Sequence, residues 1–176
     1  DWIQLRWKTG RRQELLALSE DVVRQCRAYG ATCIINDSVA IAHLSGADGV
    51  HPGLQVEPVS YARNILGPGK IIGGTANTVD DVAQRINEGC DYIGLGPYRF
   101  TQTKQQLSPI LGLEGYVRII NSLHDRGIAL PRLYAIGGIA ARDVKLLRRT
   151  GVYGIAVSGL VNAQPQLIST LKTLLT

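Results

Sequence analysis

The sequence has no apolar run approaching the roughly 18–20 residues of a membrane-spanning helix. It has one phenylalanine, which leaves little surface for stacking nucleobases. Its 19 Lys and Arg against 14 Asp and Glu give a net charge of +5, but the basic residues are scattered. The small clusters at Arg11-Arg12 and Arg148-Arg149 read as solvated helix surface. Within these residues nothing reads as a membrane-spanning helix, the composition argues against a nucleic-acid partner, and the positive balance suits small anionic ligands. Three cysteines, Cys26, Cys33 and Cys90, are an odd number without metal-type spacing. They exclude a disulfide framework and read as buried free thiols of a protein kept in the reducing cytoplasm. There is no visible signal peptide, linker or low-complexity stretch, and no methionine precedes Asp1. The expectation is a natural start further upstream.

What the sequence does have is a recurring joint. Gly30-Ala-Thr-Cys-Ile-Ile, Gly46-Ala-Asp-Gly-Val-His, Gly89-Cys-Asp-Tyr-Ile-Gly and Gly151-Val-Tyr-Gly-Ile-Ala share one logic. A glycine closes a helix, one to three residues turn, and a short apolar strand begins. The preceding segments have helical period: Val79, Val82, Ala83 and Ile86 fall at i, i+3, i+4 and i+7. The strands lack clean alternation, as when both sheet faces are covered. This places strands at about 2–7, 32–35, 48–51, 70–74, 91–95, 132–136 and 153–157, with helices at about 11–29, 38–46, 58–66, 78–89, 113–127, 140–150 and 164–175.

Such alternation predicts a parallel sheet with right-handed crossovers. The expected fold is an α/β TIM (β/α)8 barrel, residues 1–176 forming one domain whose first βα unit is missing before Asp1. An open doubly wound sheet is the alternative. The stretch 96–112 is long for a βα connection, and such loops are usually functional or mobile.

In a parallel barrel the chemistry sits at the C-terminal strand ends. Gln4, Arg6 and Lys8 alternate and so share one strand face. They read either as a phosphate or diphosphate clamp or as the solvated charges of an edge strand. Asp37, after Ile34-Ile35-Asn36, either binds Mg²⁺ or caps the next helix, and spacing alone favours the cap. His51 reads as structural. Thr75 is a candidate ligand donor, and Asn77 or Thr78 a helix cap. The loop after strand five offers Thr101, Thr103 and Lys104, suited to an oxygen-rich anion. Gly137-Gly138 and Val157-Ser158-Gly159 end the last two strands, where barrels often place a phosphate.

Taken together, Gln4-x-Arg6-x-Lys8, Ile35-Asn36-Asp37, Gly46-Ala-Asp-Gly-Val-His51, Tyr92-Ile-Gly-Leu-Gly-Pro97 with Thr101-x-Thr103-Lys104, Ala135-Ile-Gly-Gly-Ile139 and Ile155-Ala-Val-Ser158 resemble the thiamine phosphate synthase family over nearly the whole chain. The resemblance implies a TIM barrel and an enzyme joining hydroxymethylpyrimidine diphosphate to thiazole phosphate with release of diphosphate. It implies that Gln4, Arg6, Lys8, Asn36 and Lys104 hold the pyrimidine diphosphate, and that Asp37 binds Mg²⁺. Thr75 stands where the family usually has serine. Thr101 and Thr103, with backbone around Gly138, Val157 and Ser158, meet the thiazole phosphate. Arg6, Lys8 and Lys104 are the residues assigned to catalysis.

One departure matters. Where the family reads His-Leu-Gly-Gln-x-Asp-x-Pro, this chain has His51-Pro-Gly-Leu-Gln-Val56-Glu57-Pro58. Val56 replaces the second Mg²⁺ ligand, so weaker metal binding, a water-completed shell or recruitment of Glu57 is expected. Two rivals stand beside the synthase. A thiazole tautomerase shares the barrel but needs a histidine where this chain has Asn77, and an amide is no general base. A non-catalytic phosphate-ligand sensor is the other. A homo-oligomer is compatible with the sequence.

Overall fold

The computed structural model describes residues 1–53, 57–101 and 108–175. The chain divides into two compact units, Asp1–Gly74 with Glu88–Asp91, and Thr75–Asn87 with Tyr92–Thr176.

In the first unit β1 (Trp2–Leu5), β2 (Thr32–Asn36), β3 (Gly49–His51) and β4 (Ile71–Ala76, whose last two residues belong to the second unit) alternate with α1 (Arg12–Ala28), α2 (Val39–Ser45) and α3 (Val59–Leu66). Pairing is parallel and sequential, with Gln4 opposite Ile34, Ile35 opposite Val50, and Val50 opposite Ile72. β2 explains the missing alternation. Cys33, Ile34 and Ile35 are all buried, so both faces of the strand are covered. Cys33, Ile35, Val39, Ile41, Val50, Val59 and Ile72 pack into one core. Each of the valine and isoleucine side chains contributes about 1.5–3 kcal/mol by leaving water.

The joints have a second component beside their glycines. Asp48 N–H donates to the Cys33 carbonyl at 2.9 Å, and Cys33 N–H donates back to the Asp48 carboxylate at 2.7 Å. Asp91 repeats this with Ile72, at 2.8 and 2.7 Å, and also pairs with Arg63 at 2.8 Å. In both cases an aspartate two residues after the closing glycine bonds in both directions to one residue of an earlier strand.

The second unit carries α4 (Val79–Asn87), β5 (Tyr92–Leu95), α5 (Gly112–Asp125), β6 (Leu133–Ile136), a 3₁₀ turn (Ala141–Asp143) running into α6 (Val144–Arg149), β7 (Gly154–Ala156), α7 (Gly159–Ala163) and α8 (Leu167–Leu175). Leu95 pairs with Ala135, and Ala135 with Ile155, again in parallel. Ile93, Leu95, Tyr116, Leu123, Leu133 and Leu147 are fully buried. Thr78 and Asp81 cap α4 reciprocally: Asp81 N–H donates to Thr78 Oγ1 at 3.1 Å and Thr78 N–H to the Asp81 carboxylate at 2.9 Å.

Several expectations are corrected. β1 ends at Leu5, so Arg6 and Lys8 stand on the segment leaving the strand and not within it. The last helix, expected over 164–175, is preceded by the separate short α7, and the break falls at Pro165, which has no N–H to donate. Cys26 and Cys33 are buried free thiols, but Cys90 is only half-buried. The Cys33 thiol is pushed up to about 12, first by burial and then by the neighbouring Cys26.

Candidate functional site

In the first unit the ends of β1 and β2 bring three groups together. Lys8 Nζ lies 2.6 Å from one carboxylate oxygen of Asp37. Gly53 N–H donates to the other at 3.0 Å. Asp37 itself is held in the left-handed region, with φ of 64°, and its N–H donates to the His51 carbonyl at 3.0 Å. A residue other than glycine in that region is uncommon and worth reading as a clue to function. Asn36 ends β2 opposite His51. Gln4 is exposed on β1, and Arg6 is half-buried just past it.

Asp37, the residue whose spacing favours a helix cap, does not cap α2. Ser38, in extended conformation, is the N-cap of α2: its hydroxyl accepts from Ile41 N–H at 3.3 Å. Glu57 accepts from Val39 N–H at 3.2 Å, filling a second free amide of the same helix start. With those donors served by Ser38 and Glu57, the Asp37 carboxylate is left to Lys8 and the strand tip. Val56 lies outside the described residues, as do Thr103 and Lys104.

Among the described residues no three His, Cys, Asp or Glu side chains form a metal cage. Magnesium does not need one. It commonly takes one or two carboxylates and completes its shell with water and substrate phosphate oxygens. Asp37 supplies one such carboxylate. One of its oxygens meets Lys8 Nζ, the other accepts from Gly53 N–H, and each keeps lone-pair capacity, so the residue fits that mode.

The second unit builds a different kind of site. The segment after β5, which includes the cis peptide Gly96–Pro97, runs beside the end of β6. Tyr98 N–H donates to the Ile136 carbonyl at 2.8 Å and Arg99 N–H to the Gly137 carbonyl at 3.0 Å. The Arg99 guanidinium donates to the Gly138 carbonyl at 3.2 Å. Two further bonds, of 2.5 and 2.7 Å, make a bidentate pair with the buried Asp143. Asp143 also accepts from Ala140 N–H at 2.8 Å. The Arg99 bond, helped by Ala140 N–H against the opposing effect of burial, holds the Asp143 carboxyl below the usual carboxylate range. Asp143 in turn raises Arg99.

Gly137 and Gly138 both have positive φ, 87° and 66°. A Cβ on Gly138 would lie 2.7 Å from the Phe100 carbonyl oxygen, so only glycine fits the approach.

Two more side chains organise this end. The Tyr116 hydroxyl donates to the Leu95 carbonyl and accepts from Ile136 N–H at 3.4 Å, tying the ends of β5 and β6. Burial pushes its pKa above the ordinary tyrosine value. Asn77, expected as a possible cap, instead donates from its buried amide to the Gly96 and Pro109 carbonyls at 2.9 and 2.8 Å, joining both ends of the long loop. Thr75 is buried at the end of β4. Its carbonyl accepts from Arg85 Nε at 3.1 Å. Thr101 and Val157 are half-buried. Ser158 is exposed and precedes α7 without capping it through its hydroxyl.

Thus the structure joins Lys8 to Asp37, and sets Gly138 against Arg99. Arg99, Asp143 and Tyr116 were not singled out from sequence. No local pattern marks them, because the ion pair spans 44 residues.

The family model described as thiamine monophosphate synthase matches residues 1–161. A curated thiamine-phosphate synthase of Flavobacterium psychrophilum is 52% identical over 160 residues, covering 91% of this chain and 77% of the relative. One from Bacteroides fragilis is 44% identical over 174 residues, covering 99% and 85%. Among solved structures, a thiamine phosphate pyrophosphorylase from Pyrococcus furiosus superposes with a TM-score of 0.81 at 27% identity, over 99% of this chain and 84% of that one. A 3-hexulose-6-phosphate synthase, at 13% identity and a TM-score of 0.64 over 99% and 85%, shares the fold alone.

Proposed function

The chain belongs to the thiamine monophosphate synthase family, and from that premise we propose the division of labour among its residues. The activity is that of a thiamine-phosphate synthase, a transferase. Gln4, Arg6, Lys8 and Asn36, with Lys104, hold the pyrimidine diphosphate. Thr101, Thr103 and the backbone around Gly138, Val157 and Ser158 take the thiazole phosphate, with Thr75 nearby in role. The closed (β/α)8 barrel belongs to the same proposal, supported by parallel, sequential pairing within each unit. A site in the cytoplasm is proposed too; among the described residues no helix is long and apolar enough to cross a membrane. Assembly into a homo-oligomer belongs to the proposal as well, and the mass in solution tests it.

Asp37 would hold Mg²⁺, with Glu57 retained at the start of α2. When bound, the metal offsets negative charge on the diphosphate. The chain's own residues do the rest. Arg6, Lys8 and Lys104 donate to the diphosphate oxygens as negative charge builds on the departing group. The bond from the pyrimidinylmethyl carbon to the diphosphate oxygen breaks, and the electron pair leaves with diphosphate. The aminopyrimidine ring supplies electron density to that carbon, and the thiazole nitrogen forms the new C–N bond. No strong protein base is required. Positioning and charge complementarity carry the rate.

The observation that carries this assignment is the Lys8–Asp37 pair at the strand tips, two charges brought to 2.6 Å within a chain of this family. The engagement of Asn77 by two carbonyls, in the place where a tautomerase needs a base, argues against the rival isomerisation. A coupled assay of diphosphate release tests the proposal. Turnover is expected only with both substrates present, and Lys104→Ala is expected to lower kcat about 100-fold or more. Conversion of a thiazole substrate alone, or near-normal turnover of that variant, would overturn it.

A further inference from the structure

We propose that Arg99 is a positioning residue for phosphate recognition, acting through the backbone of the Ile136–Gly138 turn. The inference rests on the assignment of that turn to the thiazole phosphate. Its physical basis is the set of carbonyls the Tyr98–Arg99 segment takes up. Three successive carbonyls, of Ile136, Gly137 and Gly138, accept from Tyr98 N–H, Arg99 N–H and the Arg99 guanidinium. Across a trans peptide the N–H points opposite to the C=O. Fixing those carbonyls therefore turns the N–H groups of Gly137, Gly138 and Ile139 away from Arg99, as a row. Successive amides presented by positive-φ backbone make an anion-binding concavity. The two glycines adopt that backbone without strain but do not hold it, because they resist no rotation.

Arg99 supplies the missing rigidity. Its fork is fixed on Asp143 by two bonds, and the Asp143 side chain is only 4% exposed. Asp143 is fixed in turn by Ala140 N–H, two residues beyond Gly138. Stacking of the guanidinium on the Tyr98 ring, 4.6 Å from its centroid, restricts it further. The turn is thus held by one arginine, directly at its carbonyls and, through Asp143, at Ala140 N–H. Lysine would keep the charge and lose the fork.

The test is steady-state kinetics and calorimetric binding of thiazole phosphate on the intact chain, with Arg99→Met, Arg99→Lys, Asp143→Asn and Gly138→Ala. If Arg99 positions the turn, Arg99→Met and Asp143→Asn both raise the KM and Kd for thiazole phosphate by about 10- to 100-fold, because a small displacement of binding groups is costly. Both leave the KM for the pyrimidine diphosphate within about twofold, a split that general loss of structure would not give. Arg99→Lys stays close to Arg99→Met. Full recovery in Arg99→Lys would mean that charge alone suffices and would overturn the proposal. An effect of Arg99→Met without one of Asp143→Asn would overturn it as well, by making Arg99 a direct phosphate ligand. Gly138→Ala separates the two levels. If it weakens thiazole phosphate while the Arg99 and Asp143 variants do not, the positioning role fails and the site assignment stands. If it leaves thiazole phosphate binding unchanged, the site assignment itself fails. Thermal melting of each variant in the presence and absence of thiazole phosphate keeps a destabilised variant informative, since a folded fraction that still gains the wild-type ligand shift counts against the proposal.

Discussion

The two ion pairs at strand ends teach different lessons. Lys8–Asp37 is open: the lysine side chain is 55% exposed and has three rotatable donors on a flexible stem. Arg99–Asp143 is closed: a planar fork meets a buried carboxylate that is also bonded to backbone. An open pair exchanges partners at little cost, which suits the diphosphate-binding role proposed for it. A closed pair keeps its partners and shapes the backbone beside it. Charge alone does not separate an exchangeable pair from a fixed one; exposure and geometry do.

That contrast is best attacked from the open pair. Asp37→Asn keeps the size, tolerates the left-handed backbone and still accepts from Gly53 N–H, so it removes only the charge. Its kcat/KM is expected to fall about 100-fold or more, with a melting temperature within about 2 °C of the wild type. A large drop in melting temperature would move Asp37 into the structural class. The closed pair should behave in reverse. Arg99→Met leaves a buried carboxylate short of two donors, and a loss of about 2 kcal/mol in urea unfolding is expected.

The same variant has a pH signature. The Asp143 carboxyl is lowered in the folded protein, chiefly by Arg99. Its stabilisation is therefore complete above the unfolded carboxylate pKa of about 4 and is lost as pH falls through the lower folded value. The stability gap between wild type and Arg99→Met should be flat from pH 7 to about 5 and narrow below about 4. A gap that widens in acid would contradict the assignment. The smallest effect is expected for Lys8→Met, whose half-exposed pair is worth less than about 1 kcal/mol in urea unfolding. A larger loss would erase the distinction between the pairs.

Much of this architecture was readable along the chain because its causes are local. The helix-closing glycines of the four joints all lie at positive φ: Gly30, Gly46, Gly89 and Gly151. The apolar run through β2 was read correctly as buried on both faces. Nearest-neighbour choices were harder. Asp37 and Ser38 are both good capping residues, and what separates them is backbone: Ser38 is extended and Asp37 left-handed. The short α7 carries no capping side chain at Ser158, so nothing announced it. Arg99 and Asp143 were invisible for a stronger reason. Their meeting depends on the β5–β6 pairing and on a turn of two glycines, both products of the fold. Of the candidate site residues, Lys8 and Asp37 can be nominated from the chain because strand tips collect chemistry in this architecture, a rule that names locations but not supporting bonds.

The torsion at Asp37 narrows the alphabet at that position. Where φ is 64°, asparagine, aspartate and glycine sit at low cost, and longer acids do not. Of those three only one bears a negative charge. Swapping in glutamate would conserve the formal charge yet ask the main chain to accept a residue it disfavours, so the peptide geometry has itself selected how short the acid must be.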